Sequence, residues 1–376
     1  MRLYDSVRRG VYPLDAGPLV TMYSCGITPY DSAHLGHAFV YLVFDVLQRR
    51  LRDAGHDTHC VRNVTDVDDD ILRKARELGV NYLDLAAQEM VRFERDMALL
   101  NLLPVFSEPR ATGAIPEILT LIGAALERRV AYEADGHVYF EVAKFPRFGQ
   151  ISHVSREAMI ALAAENGGKP DDPRKRDPLD FVLWQPSLED EPAWESRWGP
   201  GRPGWHVECS ALAMRELGET VDVHGGGRDL VFPHHECEAA QSESVTGVAL
   251  ARHWLHVGMV GLEGTKMSKS LGNLVFVEEL VARAEPAAAR LALLAQHYRE
   301  DWEWRDELLW LAQSRLATWR TTLTTSGAGR GSGVLEDVRG ALDDDLDTPG
   351  ALRVLDDAAL AGCNVAPGAA LLGINL

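Results

Sequence analysis

The sequence has 376 residues, of which 46% are hydrophobic and 25% are charged, and its formal net charge at pH 7 is −18. This composition is that of a globular protein, and the length favours two or three domains. No window approaches the roughly 18 uninterrupted apolar residues of a membrane span, and residues 1–5 lack an apolar signal core. We therefore expect a cytoplasmic protein with no membrane partner. Because its net charge is negative, we do not expect it to contact a large surface of a nucleic acid.

The first hundred residues predict a parallel crossover unit. A mostly apolar run over 19–23 predicts a buried strand, a helix follows over 34–53, and 59–64 predicts the next strand. Strand, helix and strand at this spacing are typical of a parallel sheet. Two further helices are predicted over 69–78 and 83–100.

The middle of the chain has a different pattern. Residues 130–148 alternate apolar and polar side chains around Asp135-Gly136, which predicts a hairpin. Two loops rich in glycine and proline are predicted over 165–178 and 192–203. We interpret this region as an insertion into a nucleotide-binding domain.

The remaining chain returns to strands and helices. A strand over 220–224 leads into three glycines, a helix begins near His234, and 254–260 is again strand-like. Amphipathic helices are predicted over 280–298 and 306–323, before a flexible linker over 325–333. The proposed division is a nucleotide-binding first half (1–104), an inserted region (105–200), the second half (201–262), a loop with stem-type helices (263–324) and a small helical region (333–376).

Two histidines flank a Leu-Gly pair at the predicted junction of strand and helix. His34 and His37 are three residues apart and share one face of the first helical turn. The free N–H groups and positive dipole end of the helix form an anion site, and Gly36 lets a flat ligand lie against the backbone. The pattern suits a nucleoside triphosphate; the alternative is two histidines that merely begin a helix.

A lysine pair lies in the predicted loop 261–270. Lys266 and Lys269 are part of the sequence Lys-Met-Ser-Lys-Ser, and ammonium groups at this spacing can reach the same phosphates. They would stabilise the charge that grows on departing pyrophosphate. The alternative is a solvated basic loop, which the upstream His-Leu-Gly-His sequence disfavours.

Four residues are candidate metal ligands: Cys25, Cys209, His234 and Glu238. His234 and Glu238 are four residues apart on the predicted helix, so both can reach one ion. Two thiolates and an imidazole suit zinc, and a weak carboxylate ligand can yield to an incoming one. Since the chain has no Cys-x-x-Cys pair, buried free cysteines are the alternative. All five cysteines are expected to be reduced.

Taken together, these motifs resemble the class I aminoacyl-tRNA synthetases, in their cysteine-specific branch, over nearly the whole chain. The matching segments are 25–31, 34–37, 63–69, 175–180, 204–209, 224–227, 232–236 and 266–270. The resemblance implies an α/β fold: a Rossmann-like parallel sheet with an inserted connective subdomain and a short C-terminal helical region. It also implies activation of L-cysteine by ATP as cysteinyl-adenylate, with Mg²⁺ accompanying ATP and one Zn²⁺ per chain.

The resemblance further implies a role for each motif. The substrate thiolate would bind zinc held by Cys25, Cys209 and His234, with Glu238 outside the coordination sphere or displaced. The residues expected to act on the phosphates are His34, His37, Lys266 and Lys269. Those expected to contact cysteine or ATP are Cys25, Gly26, Ile27, Thr28, Asn63, Val64, Thr65, Trp205, Gly227, Arg228, Asp229 and Val260. Serine has a harder, less acidic oxygen that would coordinate poorly, so discrimination needs no editing site.

Two families share these motifs and differ in the acceptor of the cysteinyl group. Cysteinyl-tRNA synthetases load tRNA, whereas mycothiol-pathway cysteine ligases form an amide with the amine of glucosaminyl-inositol. Segments 28–30, 54–57, 165–170, 297–302 and 371–376 are similar to the ligases. The chain also stops where a synthetase would carry a longer helical and anticodon-binding region, and its last 43 or so residues are expected to bury little core.

Other residues resemble the synthetases instead, namely Glu238, His224 and 241–243. We expect the sugar amine as acceptor, with tRNA, another small amine or a non-catalytic relic as alternatives. For the transfer step, His206, His235 and Glu236 are candidates for acid–base work.

Overall fold

The structure is a computed structural model that describes residues 1–31, 33–267, 272–325 and 333–376, with the side chains of Lys266 and 322–325 left aside. The strands are β1 (Arg2–Asp5), β2 (Gly10–Pro13), β3 (Leu19–Ile27), β4 (Asp57–Val64), β5 (Ala131–Ala134), β6 (His137–Phe140), β7 (Phe181–Pro186), β8 (Gly201–Pro203), β9 (Val221–Gly227), β10 (Ala251–Val257), β11 (Val260–Leu262), β12 (Thr265–Lys266) and β13 (Trp302–Glu303).

The helices are α1 (Leu35–Asp53), α2 (Asp69–Leu78), α3 (Tyr82–Leu99), α4 (Ile115–Glu127), α5 (Arg156–Glu165), α6 (Trp205–Leu217), α7 (Glu236–Thr246), α8 (Val277–Arg283), α9 (Pro286–Leu294), α10 (Asp306–Thr325), α11 (Val334–Asp343), α12 (Thr348–Leu360) and α13 (Ala366–Leu371). Single turns of other helical types cover Ala111–Ala114, Val142–Lys144, Arg228–Leu230 and Val231–His235. Within the described ranges, no helix is both long and apolar enough to cross a membrane.

A parallel sheet with the strand order β10-β9-β3-β4 forms the centre of the molecule. The chain leaves β3 through α1 to reach β4 on one side, and leaves β9 through α7 to reach β10 on the other. The two connections diverge between β3 and β9, which creates the crevice at the carboxyl ends of the strands where open α/β sheets bind ligands. The predicted α/β fold with a parallel sheet is confirmed.

Helix α1 begins in this crevice. Its cap is His34, whose Nδ1 accepts a hydrogen bond from the backbone N–H of Gly36 at 3.1 Å. The helix buries Phe39, Leu42 and Leu47 in the main core, and it ends before Gly55, whose φ of 92° is the left-handed conformation that favours glycine. The helix N-terminus is therefore held at the edge of the sheet next to the end of β3.

The inserted region contains an antiparallel sheet with the order β5-β6-β7-β8. Asp135 and Gly136 form the turn between β5 and β6, and both have positive φ, as a two-residue hairpin turn requires. The predicted hairpin is therefore confirmed. The sheet shares one buried cluster with Val207 of α6 and Cys237 of α7, so the insertion packs on the helices that carry metal-ligand candidates.

Two expectations for the C-terminal part are wrong. The single helix predicted over 280–298 is two helices, α8 and α9, because Pro286 cannot continue a helix and restricts the residue before it. The last helices also bury more core than expected: Leu342, Leu352 and Leu372 are fully buried in the same cluster as α1 and α10. They do not build a core of their own, because they dock on helices that are already packed.

Candidate active site and metal centre

The four predicted metal ligands meet at the end of β3. Cys25 lies near the end of that strand, Cys209 on α6, His234 in the turn before α7 and Glu238 on α7. Their ligand atoms all lie within 4.8 Å of one another, and all four residues are buried. Four separate segments thus bring two sulfurs, one nitrogen and one oxygen to a single point, which is a donor set that suits zinc.

The electrostatics of this point favour a cation. Burial, together with the nearby Cys209 and Glu238, raises the pKa of Cys25 well above its usual value, because groups that can carry negative charge are crowded together away from water. Burial lowers the pKa of His234, so its imidazole is neutral and offers a lone pair. Its Nε2 has no hydrogen-bond partner among the described residues. A divalent ion would neutralise the crowded negative groups and would bind the unpartnered nitrogen of His234, so the residues present fit zinc.

A shell of side chains orients His234. The Nδ1 atoms of His206 and His234 are 2.9 Å apart, which points the Nε2 of His234 toward the other donors. The ring of Trp205 stacks on the face of the His234 ring, with ring centroids 4.2 Å apart. Gln241 in turn donates to the carbonyl of His206 at 2.7 Å and to the Oγ of Ser210 at the same distance.

A second group of histidines, which the sequence did not indicate as metal ligands, also lies near Cys25. His224 in the middle of β9 and His235 before α7 both point toward Cys25 and Glu238. His235 continues to His256 of β10, with Nδ1 and Nε2 2.7 Å apart. The available signal was the resemblance of His224 to the synthetase pattern, but nothing in its spacing connected it with Cys25.

The predicted amino-acid contacts lie side by side at the ends of β3 and β4. The N–H of Gly26 donates to the Oδ1 of Asn63 at 2.8 Å, and the amide of Asn63 donates to the Oγ1 of Thr65 at 3.1 Å. Val64 pairs with Ile27, whose carbonyl accepts from the N–H of Thr65. Residues 25–27 and 63–65 are thus one continuous surface next to the metal ligands.

Thr28 and Trp205 border the same surface. The hydroxyl of Thr28 donates to the Oδ2 of Asp68 at 3.1 Å, and Asp68 caps α2 through the N–H of Ile71. Burial raises the pKa of Asp68 to about 6. Trp205 is half-buried and stacks on His234.

The predicted nucleotide contacts lie at the start of α1 and at the end of β9. The rings of His34 and His37 are adjacent, with centroids 4.1 Å apart. Gly227 ends β9, and the exposed Arg228 and Asp229 follow it. The guanidinium of Arg228 binds Asp301 at 2.8 Å and the carbonyl of Arg299, so it connects the glycine loop to 299–301.

The remaining phosphate-binding candidates are partly outside the described residues. Val260 is buried in β11, where it pairs with Trp302 and accepts from the N–H of Met267. The backbone of Lys266 belongs to β12, which pairs with β11. Lys269 lies outside the described residues, so its predicted role stays a prediction.

Two acidic side chains near the site have surroundings that the sequence did not indicate. Glu236 accepts from the backbone N–H groups of Gly149, Ile151 and Ser152 at 2.7–3.1 Å, so its carboxylate holds the inserted region to α7. Its carboxylate therefore has a structural role, which corrects the expectation of acid–base work. Glu208, which the sequence analysis missed, is buried, and neither carboxylate oxygen has a partner among the described residues. Burial raises its pKa well above the usual value.

Comparison with known proteins identifies the class. Residues 13–314 match the family model described as the tRNA synthetases class I (C) catalytic domain. The structure of Mycobacterium tuberculosis methionyl-tRNA synthetase in complex with methionyl-adenylate has a similar fold, with a TM-score of 0.66 over 90% of this chain and 82% of that chain, at 18% identity. The protein therefore has the catalytic-domain fold of the class I synthetases.

Relatives with curated names identify the family within this class. The chain is 46% identical over 389 residues to the L-cysteine:1D-myo-inositol 2-amino-2-deoxy-alpha-D-glucopyranoside ligase of Streptosporangium roseum, covering 100% of this chain and 96% of that one. It is 49% identical over 381 residues to the ligase of the same name from Thermobifida fusca, covering 99% and 92%. The chain belongs to the family of these cysteine ligases.

Proposed function

We propose that this protein joins L-cysteine to the amine of glucosaminyl-inositol, with ATP cleaved to AMP and pyrophosphate. The observation that carries the proposal is the buried cluster of Cys25, Cys209, His234 and Glu238 in the crevice between β3 and β9. Such a donor set next to a synthetase-type nucleotide site suits an amino acid whose side chain is itself a metal ligand. The names of the relatives support the choice of acceptor.

In the first step, a carboxylate oxygen of cysteine attacks the α-phosphorus of ATP. An O–P bond forms, the bond to the bridging oxygen breaks, and pyrophosphate leaves. The start of α1, with His34 and His37, would bind the phosphates through its free N–H groups and positive dipole end. Lys266 and Lys269 would stabilise charge on the leaving pyrophosphate, with Mg²⁺ accompanying the nucleotide.

The amino-acid side chain selects the substrate. Cys25, Cys209 and His234 would hold zinc, and Glu238 is the weaker donor that an incoming ligand replaces. Zinc bound there would supply a Lewis acid that prefers a thiolate to a hydroxyl group. Trp205 closes the site on one side. Thr65, which accepts a hydrogen bond from Asn63 beside Gly26, would hold the polar end of the substrate.

In the second step, the neutral sugar amine attacks the carbonyl carbon of the adenylate. A C–N bond forms, the bond to the phosphate oxygen breaks, and AMP leaves while the amine loses a proton. An amine is nucleophilic once neutral and needs at most a nearby base. His206 contacts His234, and His235 contacts Cys25, so both are positioned to orient ligands.

The two steps can be tested separately. Exchange of labelled pyrophosphate into ATP should depend on cysteine, and serine at the same concentration should support almost none. Adding glucosaminyl-inositol should then release AMP and form the cysteinyl amide. Cysteine-dependent exchange without amide formation would retain the activation step and reject this acceptor. Charging of tRNA that survives moderate salt would assign the acceptor to tRNA instead.

A further inference from the structure

A short segment that the proposed mechanism does not use, residues 298–301, lies against two strand ends of the central sheet. Strands β9 and β10 end side by side, where Gly227 pairs with Val257. The chain that follows these ends, from Arg228 and from Gly258, leads into the predicted nucleotide contacts. Segment 298–301 contacts both stretches, so it connects two parts of the predicted nucleotide site.

One carboxylate forms the centre of this connection. The Oδ1 of Asp301 accepts a hydrogen bond from the guanidinium of Arg228 at 2.8 Å and another from the backbone N–H of Met259 at 2.7 Å. The guanidinium of Arg228 also donates to the carbonyl of Arg299. A single oxygen atom thus fixes a side chain that follows β9 relative to the backbone that follows β10.

The backbone holds the segment close to the end of β10. The N–H of Gly258 donates to the carbonyl of Tyr298 at 2.7 Å, and the N–H of Trp302 donates to the carbonyl of Met259 at 3.0 Å. A Cβ atom at position 258 would overlap the carbonyl oxygen of Glu300, so this close approach needs glycine. Asp301 therefore cannot shift without disturbing the chain after β10.

The other side of the segment is anchored in the C-terminal helices. Asp345 lies in the turn between α11 and α12 and is buried. Its Oδ1 accepts from the hydroxyl of Tyr298 at 2.5 Å and from the N–H of Tyr4 at 2.7 Å, and its Oδ2 lies 2.6 Å from the Nε of Arg299. The carboxylate of Asp301 is consequently presented from a fixed support.

We propose that Asp301 is a positioning residue for ATP, which it serves through Arg228 and Met259. Its carboxylate holds these two groups in place before the nucleotide arrives, so less freedom is lost when ATP binds. Cysteine is assigned to the ends of β3 and β4 and to the metal ligands, so its affinity does not depend on this carboxylate. The inference rests on the proposed function, because that function supplies ATP as the nucleotide.

Pyrophosphate exchange separates the two substrates. Asp301→Ala removes both hydrogen bonds and should raise the KM for ATP about tenfold, while the KM for cysteine stays within about twofold of the wild-type value. Asp301→Asn retains an acceptor for the N–H of Met259 but loses the charge that attracts Arg228. It should raise the KM for ATP by about two- to fivefold. Equal increases in both KM values, or an unchanged KM for ATP in Asp301→Ala, would overturn the proposal.

Glu285→Ala is the matched control, because it also removes one carboxylate from a partly exposed pair with an arginine. The side chains of Arg320 and Glu285 are both 41% exposed, and those of Arg228 and Asp301 are 42% and 57% exposed. The control should leave both KM values unchanged. A rise in the KM for ATP equal to that of Asp301→Ala would show that any lost surface pair has this effect.

A double-variant cycle tests whether the charge of Asp301 acts through Arg228. In an Arg228→Met background the ion pair is already absent, so adding Asp301→Asn should change the KM for ATP by less than about 1.5-fold. If the two losses multiply instead, the carboxylate acts on the nucleotide directly, and its positioning role is wrong.

Direct binding separates this proposal from the proposed function. The affinity for ATP with Mg²⁺ can be measured by calorimetry without cysteine. Weaker ATP binding by Asp301→Ala, together with wild-type protein that shows no cysteine-dependent exchange, would preserve the role of Asp301 and reject cysteine activation. Cysteine-dependent exchange with equal ATP affinity in the wild-type protein and Asp301→Ala would do the reverse.

Discussion

The indole of Trp205 stacks on the imidazole of His234, with ring centroids 4.2 Å apart and ring planes 26° apart. The Nδ1 of the same imidazole contacts His206, so the ring is held at one face and one edge. Its remaining nitrogen therefore has one direction left, toward Cys25, Cys209 and Glu238. Trp205 is in this way both a wall of the site and a support of a predicted metal ligand.

Trp205→Ala should raise the KM for cysteine in pyrophosphate exchange by about two- to tenfold, because loss of an aromatic stack costs about 0.5–1.5 kcal/mol. Trp205→Phe should retain most of the affinity, since a benzene ring can still stack on the imidazole. Trp310, which is 66% exposed on α10, gives the matched control: Trp310→Ala should leave exchange unchanged. Equal loss in both alanine variants would show that Trp205 acts through general stability.

A second prediction concerns the close approach of β3 and β4. A methyl group on Gly26 would overlap the backbone carbonyl of Asn63, whose side chain also accepts from the N–H of Gly26. Gly26→Ala should therefore push the two strand ends apart. We expect cysteine-dependent exchange to fall at least about tenfold and the free energy of unfolding to fall by about 1–3 kcal/mol.

Gly340→Ala is the control for that substitution. Gly340 lies within α11, and an added methyl group would meet nothing within 4 Å. Alanine at such a helical position usually raises stability by up to about 1 kcal/mol. Urea unfolding and pyrophosphate exchange should thus separate the two glycines. Full exchange activity in folded Gly26→Ala protein would mean that this strand end does not contact the substrate.

The predicted metal ligands could be found from the sequence because a motif resemblance selected four residues from distant segments. Regular helix geometry also brought His234 and Glu238 together, since residues four apart share a face. These inferences needed only local periodicity and the known chemistry of the side chains.

The approach of His235 to Glu238 follows from the same local geometry, because residues three apart on a helix are neighbours, as residues four apart are. The Nε2 of His235 lies 3.8 Å from the Oε2 of Glu238, and the Nε2 of His234 lies 3.6 Å from that oxygen. The position of His224 was not predictable by such reasoning. His224 reaches the same point only because β9 pairs with β3.

A third prediction concerns pH. Asp96 of α3 is buried, and desolvation together with Glu278 of α8 raises its pKa from 3.8 to about 6. The folded protein therefore binds this proton more tightly than the unfolded chain does. The resulting stability is complete below pH 3.8 and is lost as the pH rises toward 6. Above pH 6 the buried carboxylate remains a cost to folding.

At pH 8, the free energy of unfolding of Asp96→Asn, measured with urea, should consequently exceed that of the wild-type protein by about 1–2 kcal/mol. This difference should shrink as the pH is lowered toward 4. Glu94→Gln removes a carboxylate at an exposed position of the same helix instead of a buried one, and it serves as the control. A difference between Asp96→Asn and wild type that stays constant from pH 4 to 8 would exclude titration as its cause.

The last prediction concerns Arg290, which joins the C-terminal helices to the main core. Its guanidinium pairs with Asp45 of α1 and donates to the carbonyls of Leu372 at 2.7 Å and Leu100 at 2.8 Å. Only 1% of Arg290 is exposed, and burial lowers its pKa. One side chain thus satisfies a buried carboxylate and the backbone of two chain segments.

Arg290→Met should lower the free energy of unfolding by about 3 kcal/mol. The substitution removes a positive partner from the buried carboxylate of Asp45 and leaves two buried carbonyls without this hydrogen-bond donor. Arg320→Met is the matched control: Arg320 forms a two-point pair with Glu285 at 2.7 Å, but both side chains are 41% exposed. An exposed pair is worth about 0–1 kcal/mol. Hydrogen exchange should accelerate over 366–376 only in the Arg290 variant. Equal losses in the free energy of unfolding of the two variants would mean that the buried pair stabilises the protein no more than the exposed pair does.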